Sequence, residues 1–168
     1  SVDVFVFHDD LQYTKGDWRN RNKIKTPKGI EWLTVPVHHK TVSQLICETE
    51  IDNSSRWKQK HIRQWQEHYR QAPYLNEVFE LLADIGECQD LTITQLNLKL
   101  IRRICKYLNI PTPMMLSSEL SLTGSKTDRL IDLLQKLDAT TYLSGPSADA
   151  YLDKEAFRRH GISLEYKS

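Results

Sequence analysis

Cysteine is scarce in this chain, with three residues among 168, at positions 47, 88 and 105. The odd number and the lack of any Cys-x-x-Cys spacing argue against a disulfide framework or a structural zinc site, and favour a reducing compartment. Net charge is scarce too, formally +1 at pH 7. That argues against a strongly basic nucleic-acid binder, although so balanced a total can hide local patches. No uninterrupted apolar run approaches the ~20 residues of a membrane span, and no signal-peptide pattern opens the chain, so no membrane association is expected. Repeats, low-complexity tracts and flexible interdomain linkers are missing as well. What remains reads as a cytoplasmic globular protein, 39% hydrophobic and 27% charged, suited to one domain with a sizeable core.

Polar chemistry is concentrated near the start. Val4 to Phe7 reads as a buried strand that runs directly into His8, Asp9 and Asp10, then Tyr13, Lys15, Trp18, Arg19, Asn20, Arg21, Lys23 and Lys25. In parallel α/β sheets, ligands sit beyond the carboxyl ends of strands, which makes this acid-and-guanidinium loop the place to look for a site. A solvated loop is the bland alternative, but acids, guanidinium groups and a Trp seldom crowd together so densely on a random surface.

Further along, Lys28-Gly29 marks a turn and Trp32 to Val37 a second strand, with Pro36 placing it at an edge or strand end. Leu45 to Ile51 suggests a third, irregular strand, and Asn53-Ser54-Ser55 offers N-cap chemistry for a helix over about 55–71. On that helix Trp57, His61, Trp65 and Tyr69 recur every four residues, a stripe better read as core than as a base-stacking surface. Ala72-Pro73 breaks it. A second helix follows over about 75–85 and a third from Thr92 or Thr94, on which Leu98, Ile101, Cys105 and Leu108 share a face that would bury Cys105. The C-terminal part alternates strands (112–117, 140–144, 162–166) with helices (125–137, and 151–160 interrupted near Asp153). The expected fold is therefore α/β: a single domain over 1–168 with a mostly parallel, Rossmann-like sheet and a helical insertion over 53–108. Parallel strands 4–7, 114–117 and 140–144 in one sheet would deliver the loops after them to one edge.

Two later motifs could help hold an anion. Gly124-Ser125-Lys126-Thr127 opens a helix, where exposed N–H groups and the dipole favour negative charge; Ser125 or Thr127 could cap it and Lys126 could reach a phosphate. It is not a Walker A loop, because the first Gly is missing and Ser125 separates Gly from Lys. Ser144-Gly145 ends the next strand, where a Gly permits close approach of a ligand or simply suits the turn. Metal readings are poorer: His61 and His68 lack the His-Glu-x-x-His spacing, and no zinc quartet is expected. Cys88, in a predicted loop, has no basic partner in sequence and reads as inert.

The chain also resembles the WbqC-like protein family. The likeness is carried by Asp9-Asp10-Leu11-Gln12-Tyr13, Lys15, Trp18, Asn20-Arg21-Asn22, Ile24-Lys25-Thr26, Gly29 and Trp32 to Val37. It continues through Ile51-Asp52-Asn53, Trp57, Lys60-His61, Ala72-Pro73-Tyr74, Ser117-Ser118, Gly124, Lys126-Thr127, Arg129-Leu130, Tyr142 to Pro146 and Tyr151-Leu152-Asp153. The family pattern leads one to expect a further N-terminal strand and a C-terminal tail beyond this sequence. The resemblance implies bacterial surface-polysaccharide or O-antigen biosynthesis, with modification of amino sugars by transfer of an aminoacyl group such as glycine.

Together these readings describe a transferase acting on a phosphorylated or nucleotide-activated amino sugar. Acyl transfer to an amine needs an uncharged nitrogen, hence a general base, and donors for the developing oxyanion. His8, Asp9 and Asp10 form the catalytic set, with Asp10 or His8 as the base. Arg19, Arg21 and Lys126 would neutralise phosphate, Tyr13 or Trp18 would stack on a base or sugar, and Asn20, Thr127, Ser144 and Gly145 would complete the binding set. No metal is expected, no cofactor is identified, and the oligomeric state is unassigned. The rival from another class is a noncatalytic nucleotide- or RNA-binding module using the basic loop 15–28 and the basic helix 55–71. In that loop six cations (Lys15, Arg19, Arg21, Lys23, Lys25, Lys28) meet only Asp17.

Overall fold

The computed structural model describes residues 2–87 and 91–167, with side chains left undescribed over 83–87. Its elements in chain order are β1 (Phe5–Phe7), β2 (Arg21–Thr26), β3 (Gly29–Thr34), α1 (Trp57–His68), α2 (Leu75–Glu87), α3 (Ile93–Tyr107), β4 (Met114–Leu116), α4 (Lys126–Lys136), β5 (Thr141–Ser144), α5 (Lys154–Arg159) and β6 (Ser163–Tyr166). Short 3-10 turns cover Ser117–Glu119 and Pro146–Ala150. The chain forms two compact units, Asp9–Pro111 and Ser1–His8 with Thr112–Ser168.

In the larger unit, β2 and β3 make an antiparallel hairpin in which Thr26 faces Gly29 across the two-residue turn Pro27-Lys28. Gly29 takes φ +118°, a value that L side chains rarely adopt. The Thr26 hydroxyl donates to the Gly29 carbonyl at 2.9 Å and accepts from the Lys28 N–H at 3.2 Å, which ties the turn together. This corrects the sequence reading, in which the basic stretch was a loop and the next strand ran from Trp32 to Val37. Its alternation is that of a half-buried strand: Ile24 and Thr26 point inward while Lys23 and Lys25 are exposed. β3 stops before Pro36, which cannot donate to a ladder. Residues 38–52 follow an irregular path with isolated bridges Val37–Ile51 and Gln12–Leu45. Thr49 anchors them, its hydroxyl donating to the Leu45 carbonyl at 2.8 Å and accepting from Gln44 Nε2 at 3.0 Å.

The aromatic stripe of α1 is core: Trp57 and His61 are buried, and Trp65 is partly buried against the cluster that Trp57 forms with Tyr13, Ile46, Ile51, Ile93 and Leu96. No side chain caps α1, whose N-cap is Arg56. The expected capping segment instead turns through Asp52, which accepts from the Ser54 N–H at 2.9 Å. α3 opens on a reciprocal capping box between Thr92 and Gln95. Its buried face is Ile93, Leu96 and the packed Leu100, whereas Leu108 is 55% exposed and Cys105 only half-buried. The stripe through Leu98 and Cys105 is thus not the core face. Cys88 lies outside the described residues.

In the smaller unit β1 pairs with β4 and β5 with β6, both in parallel register. The core gathers Ile131 and Leu134 of α4, Ala156 and Phe157 of α5, and Ala148, Leu152 and Ile162 around them. The interruption expected near Asp153 is a cap: its carboxylate accepts from the Ala156 N–H at 3.1 Å and starts α5. The fold is a mixture of helix and strand with small parallel sheets. The expected Rossmann-like sheet is not formed among the described residues, because β1–β4, β2–β3 and β5–β6 are separate two-stranded sheets. The edge argument that joined β1, β4 and β5 therefore loses its premise. Among the described residues no helix is long and apolar enough to cross a membrane.

Candidate functional site

The alternation of the hairpin sorts its side chains by face. Arg21, Lys23 and Lys25 share one face with their cross-strand partners Thr34, Trp32 and Ile30. The hairpin's only acid, Glu31, stands opposite Ile24 and so belongs to the other face. Trp18 reaches this cationic face from the preceding loop, its ring centre 5.1 Å from that of Trp32 at an interplanar angle of 55°. The Arg21 guanidinium lies 4.2 Å from the Trp32 ring centre. Lys23 Nζ is 5.0 Å from the Trp32 ring and 5.5 Å from that of Trp18. Both rings remain solvent-exposed, Trp18 by 60% and Trp32 by 40%. Two aromatic surfaces framed by cations form a platform for a planar anionic ligand.

Its supports are specific. Gly16 takes φ +77°, and a Cβ placed there would sit 3.5 Å from Arg21 Nη2, so the turn and the guanidinium lie against each other. Arg19 pairs with Asp17, while its carbonyl accepts from Asn97 Nδ2 at 2.8 Å, a side chain 78 positions later. Asn20 is buried and holds the Val35 carbonyl through Nδ2 at 2.9 Å; the Val35 N–H returns a bond to the Asn20 carbonyl at 2.8 Å.

The other expected site residues divide between the units. Asp9 is buried and Asp10 half-buried in the turn that opens the larger unit, and the Asp9 carbonyl accepts from the Cys47 N–H at 2.7 Å. Because these acids follow the strand rather than extend it, strand alternation does not govern where they point. Burial, followed by the charges of Asp9 and Glu48, pushes the Cys47 thiol up, which keeps it protonated. Tyr13 is a core side chain, 2% exposed, with its ring centre 5.5 Å from that of His39. Burial raises its hydroxyl pKa, while nearby Arg19 opposes the shift. Of the two stacking candidates, Trp18 is the one with an open face.

The smaller unit holds His8, Lys126, Thr127, Ser144 and Gly145. His8 is half-buried just after β1. Lys126 is exposed with φ +49°, following Gly124 at φ +77°. Ser125 occupies the N-cap of α4 without a side-chain cap bond. Thr127 does not cap it either: it is buried, and its hydroxyl accepts from the Asp153 N–H at 3.1 Å, joining the starts of α4 and α5. Ser144 is buried at the end of β5, where its carbonyl accepts from the Lys167 N–H at 2.9 Å. Gly145 has φ −76°, which demands no glycine.

A concavity lies at the hairpin turn. It is an open cleft of about 550 Å3, lined by Thr26, Lys28 and Glu31 of the hairpin and by Glu67, His68 and Arg70 at the end of α1, among others. The Tyr69 hydroxyl accepts from the Lys25 N–H at 2.9 Å and fastens one wall to the other. Among the described residues, no group of three His, Cys, Asp or Glu side chains is placed to hold a metal ion. Sequence reasoning assigned Trp32 only to a strand and missed its role in the platform. The signal was present in Pro27-Lys28: a two-residue turn there puts Lys23 opposite Trp32.

Comparison with known proteins yields two matches. The profile described as the WbqC-like protein family matches residues 1–168. The chain is also 44% identical over 167 residues to the Mycobacterium tuberculosis protein described as uncharacterized protein Rv1507c, an alignment covering 98% of this chain and 72% of that protein. No solved structure matches.

Proposed function

The chain belongs to the WbqC-like protein family, and from that premise we propose that it is a cytoplasmic enzyme of bacterial surface-polysaccharide biosynthesis, a transferase acting on a phosphorylated or nucleotide-activated amino sugar. The observation that carries this reading is the pairing of Trp18 and Trp32 under Arg21 and Lys23. A nucleobase or sugar stacks on the open face of Trp18, and the cations take the phosphates through charge-assisted hydrogen bonds. Transfer of an aminoacyl group requires the sugar nitrogen to attack the acyl carbonyl as its proton passes to a base and the donor's leaving group departs. Asp10 or His8 is the base candidate, beside Asp9. Lys126, Thr127, Ser144 and Gly145 remain proposed as a second set of phosphate contacts.

The row Arg21, Lys23, Lys25 on one hairpin face also favours the rival reading, a module that tracks an RNA backbone. α1 adds less to that rival than its sequence suggested, since its aromatic stripe is buried in the core. Titrating the tryptophan fluorescence of the full chain with UDP-sugars, and separately with oligouridylate at several salt concentrations, separates the two. Saturable quenching by a UDP-sugar is the expected result. Binding of oligouridylate alone, with a steep salt dependence, overturns the enzyme reading.

A further inference from the structure

The cleft at the hairpin turn carries charges of both signs. Lys28 and Arg70 contribute cations, Glu31 and Glu67 carboxylates, and His68 follows Glu67 directly. Opposite charges on a shared surface can meet as ion pairs within about 4 Å, at little gain where both are solvated, and so stay available to a ligand where they do not. Here none of the four makes an ion pair with another described residue. The nearest polar contact of Glu31 is the buried Thr26, whose hydroxyl lies 3.3 Å from its Oε1 while donating to the Gly29 carbonyl. The Tyr69 hydroxyl bond to Lys25 keeps the wall carrying Glu67 and Arg70 fixed to the hairpin, so the cleft is built before any ligand arrives. At about 550 Å3 it falls within the range of small-molecule sites.

We propose that this cleft is a binding site for a small zwitterion, a molecule that brings an ammonium group to Glu31 and Glu67 and an anionic group to Lys28 and Arg70. Such a ligand sets an opposite charge against each like-charged pair at once, which a purely cationic or purely anionic molecule cannot do. The carboxyl-terminal end of α1, with the partial negative charge of its last carbonyls, further favours the ammonium group. Two sources share this chemistry, an amino-sugar phosphate and a free amino acid. The site uses residues separate from the Trp18–Trp32 platform and does not depend on the function proposed for it.

The test is a nuclear magnetic resonance titration of the full chain, following the backbone amides of Lys28, Glu31, His68 and Arg70. The probes are glucosamine 6-phosphate, glucosamine, glucose 6-phosphate and alanine. Glucosamine 6-phosphate is expected to shift these amides and to bind about tenfold more tightly than glucosamine or glucose 6-phosphate, the loss expected when one charge-assisted contact is removed. Glu67→Gln should narrow its advantage over glucose 6-phosphate, and Arg70→Gln its advantage over glucosamine. Both are surface changes that leave the fold intact. Tighter binding of alanine at the same amides supports the zwitterion site and assigns it to amino acids. The proposal is overturned if the zwitterions bind no better than the probes carrying charge of one sign, or if the shifts fall elsewhere. Either outcome leaves the UDP-sugar titration untouched.

Discussion

Arg21 reaches Trp32 diagonally across the hairpin: its Cα partner is Thr34, while Trp32 stands opposite Lys23, yet the guanidinium comes within 4.2 Å of the Trp32 ring centre. Diagonal contacts of this kind lie within reach of long and aromatic side chains on a twisted ladder. The arrangement leaves the solvent-facing side of Trp18 free while two cations converge on Trp32.

Arg21→Met should keep much of the aliphatic packing and remove the cation. Loss of this partly buried cation–π contact is expected to lower unfolding free energy by about 0.5–2 kcal/mol. Urea denaturation of the variant beside the parent checks this, and an unchanged midpoint would mean that the contact contributes nothing to stability.

Trp18→Ala separates ligand binding from folding. Although 60% of the side chain is exposed, its loss removes the contact with Trp32 and should cost about 0.5–1.5 kcal/mol of stability, too little to unfold the chain. The same change should weaken UDP-sugar binding by about 1–3 kcal/mol, the contribution of one stacking surface. Calorimetric titration gives the second number, and equal affinity in the two proteins would remove Trp18 from the site.

Much of this face was legible in the sequence and part was misread, for identifiable reasons. The density of charge over Arg19 to Lys25 singled out the stretch that carries the cation–aromatic face, and the four-residue spacing of Trp57, His61 and Trp65 correctly indicated core. The same charge density hid a period of two, because Asn22 is exposed and interrupts the alternation that Ile24 and Thr26 would otherwise show. On α3 two apolar stripes compete, and only tertiary packing selects Ile93, Leu96 and Leu100 over Leu98 and Cys105. The parallel pairing of the terminal segments follows from alternating strands and helices. Whether such pairs join into one sheet depends on long-range neighbours that no local pattern encodes.

His61 gives a pH dependence whose sign can be worked out. Burial lowers its pKa from 6.5, and its Nε2–H donates to the Thr34 carbonyl at 3.1 Å, so the folded protein holds the ring neutral. Below about 6.5 the unfolded chain takes up this proton while the folded chain resists it, and stability falls as pH falls. Unfolding free energy should therefore decline from pH 7 towards 5, above the range in which carboxylates titrate. His61→Phe should flatten that part of the profile; an unaltered slope would assign it to other groups.

Thr127→Val keeps the shape of a buried side chain and deletes the acceptor of the Asp153 N–H. An unsatisfied amide at the start of α5 is expected to cost about 1–3 kcal/mol. Thr127→Ser, which keeps the hydroxyl, should recover most of it. Thermal denaturation of both variants measures the difference, and a Val variant as stable as the parent would mean that the hydroxyl bond contributes nothing.

The bond from Asn97 Nδ2 to the Arg19 carbonyl joins residues 78 positions apart, and it bears on whether the hairpin can be detached. Closing so long a loop is entropically slow compared with forming a two-residue turn. During synthesis the hairpin can zip early, but Arg19 acquires this support only after α3 has formed and docked. A peptide spanning residues 15–34 would thus carry Trp18, Arg21, Lys23 and Trp32 without this restraint, and grafting it onto another scaffold should transfer the residues without their full geometry. The recognition surface is local in sequence and non-local in its assembly.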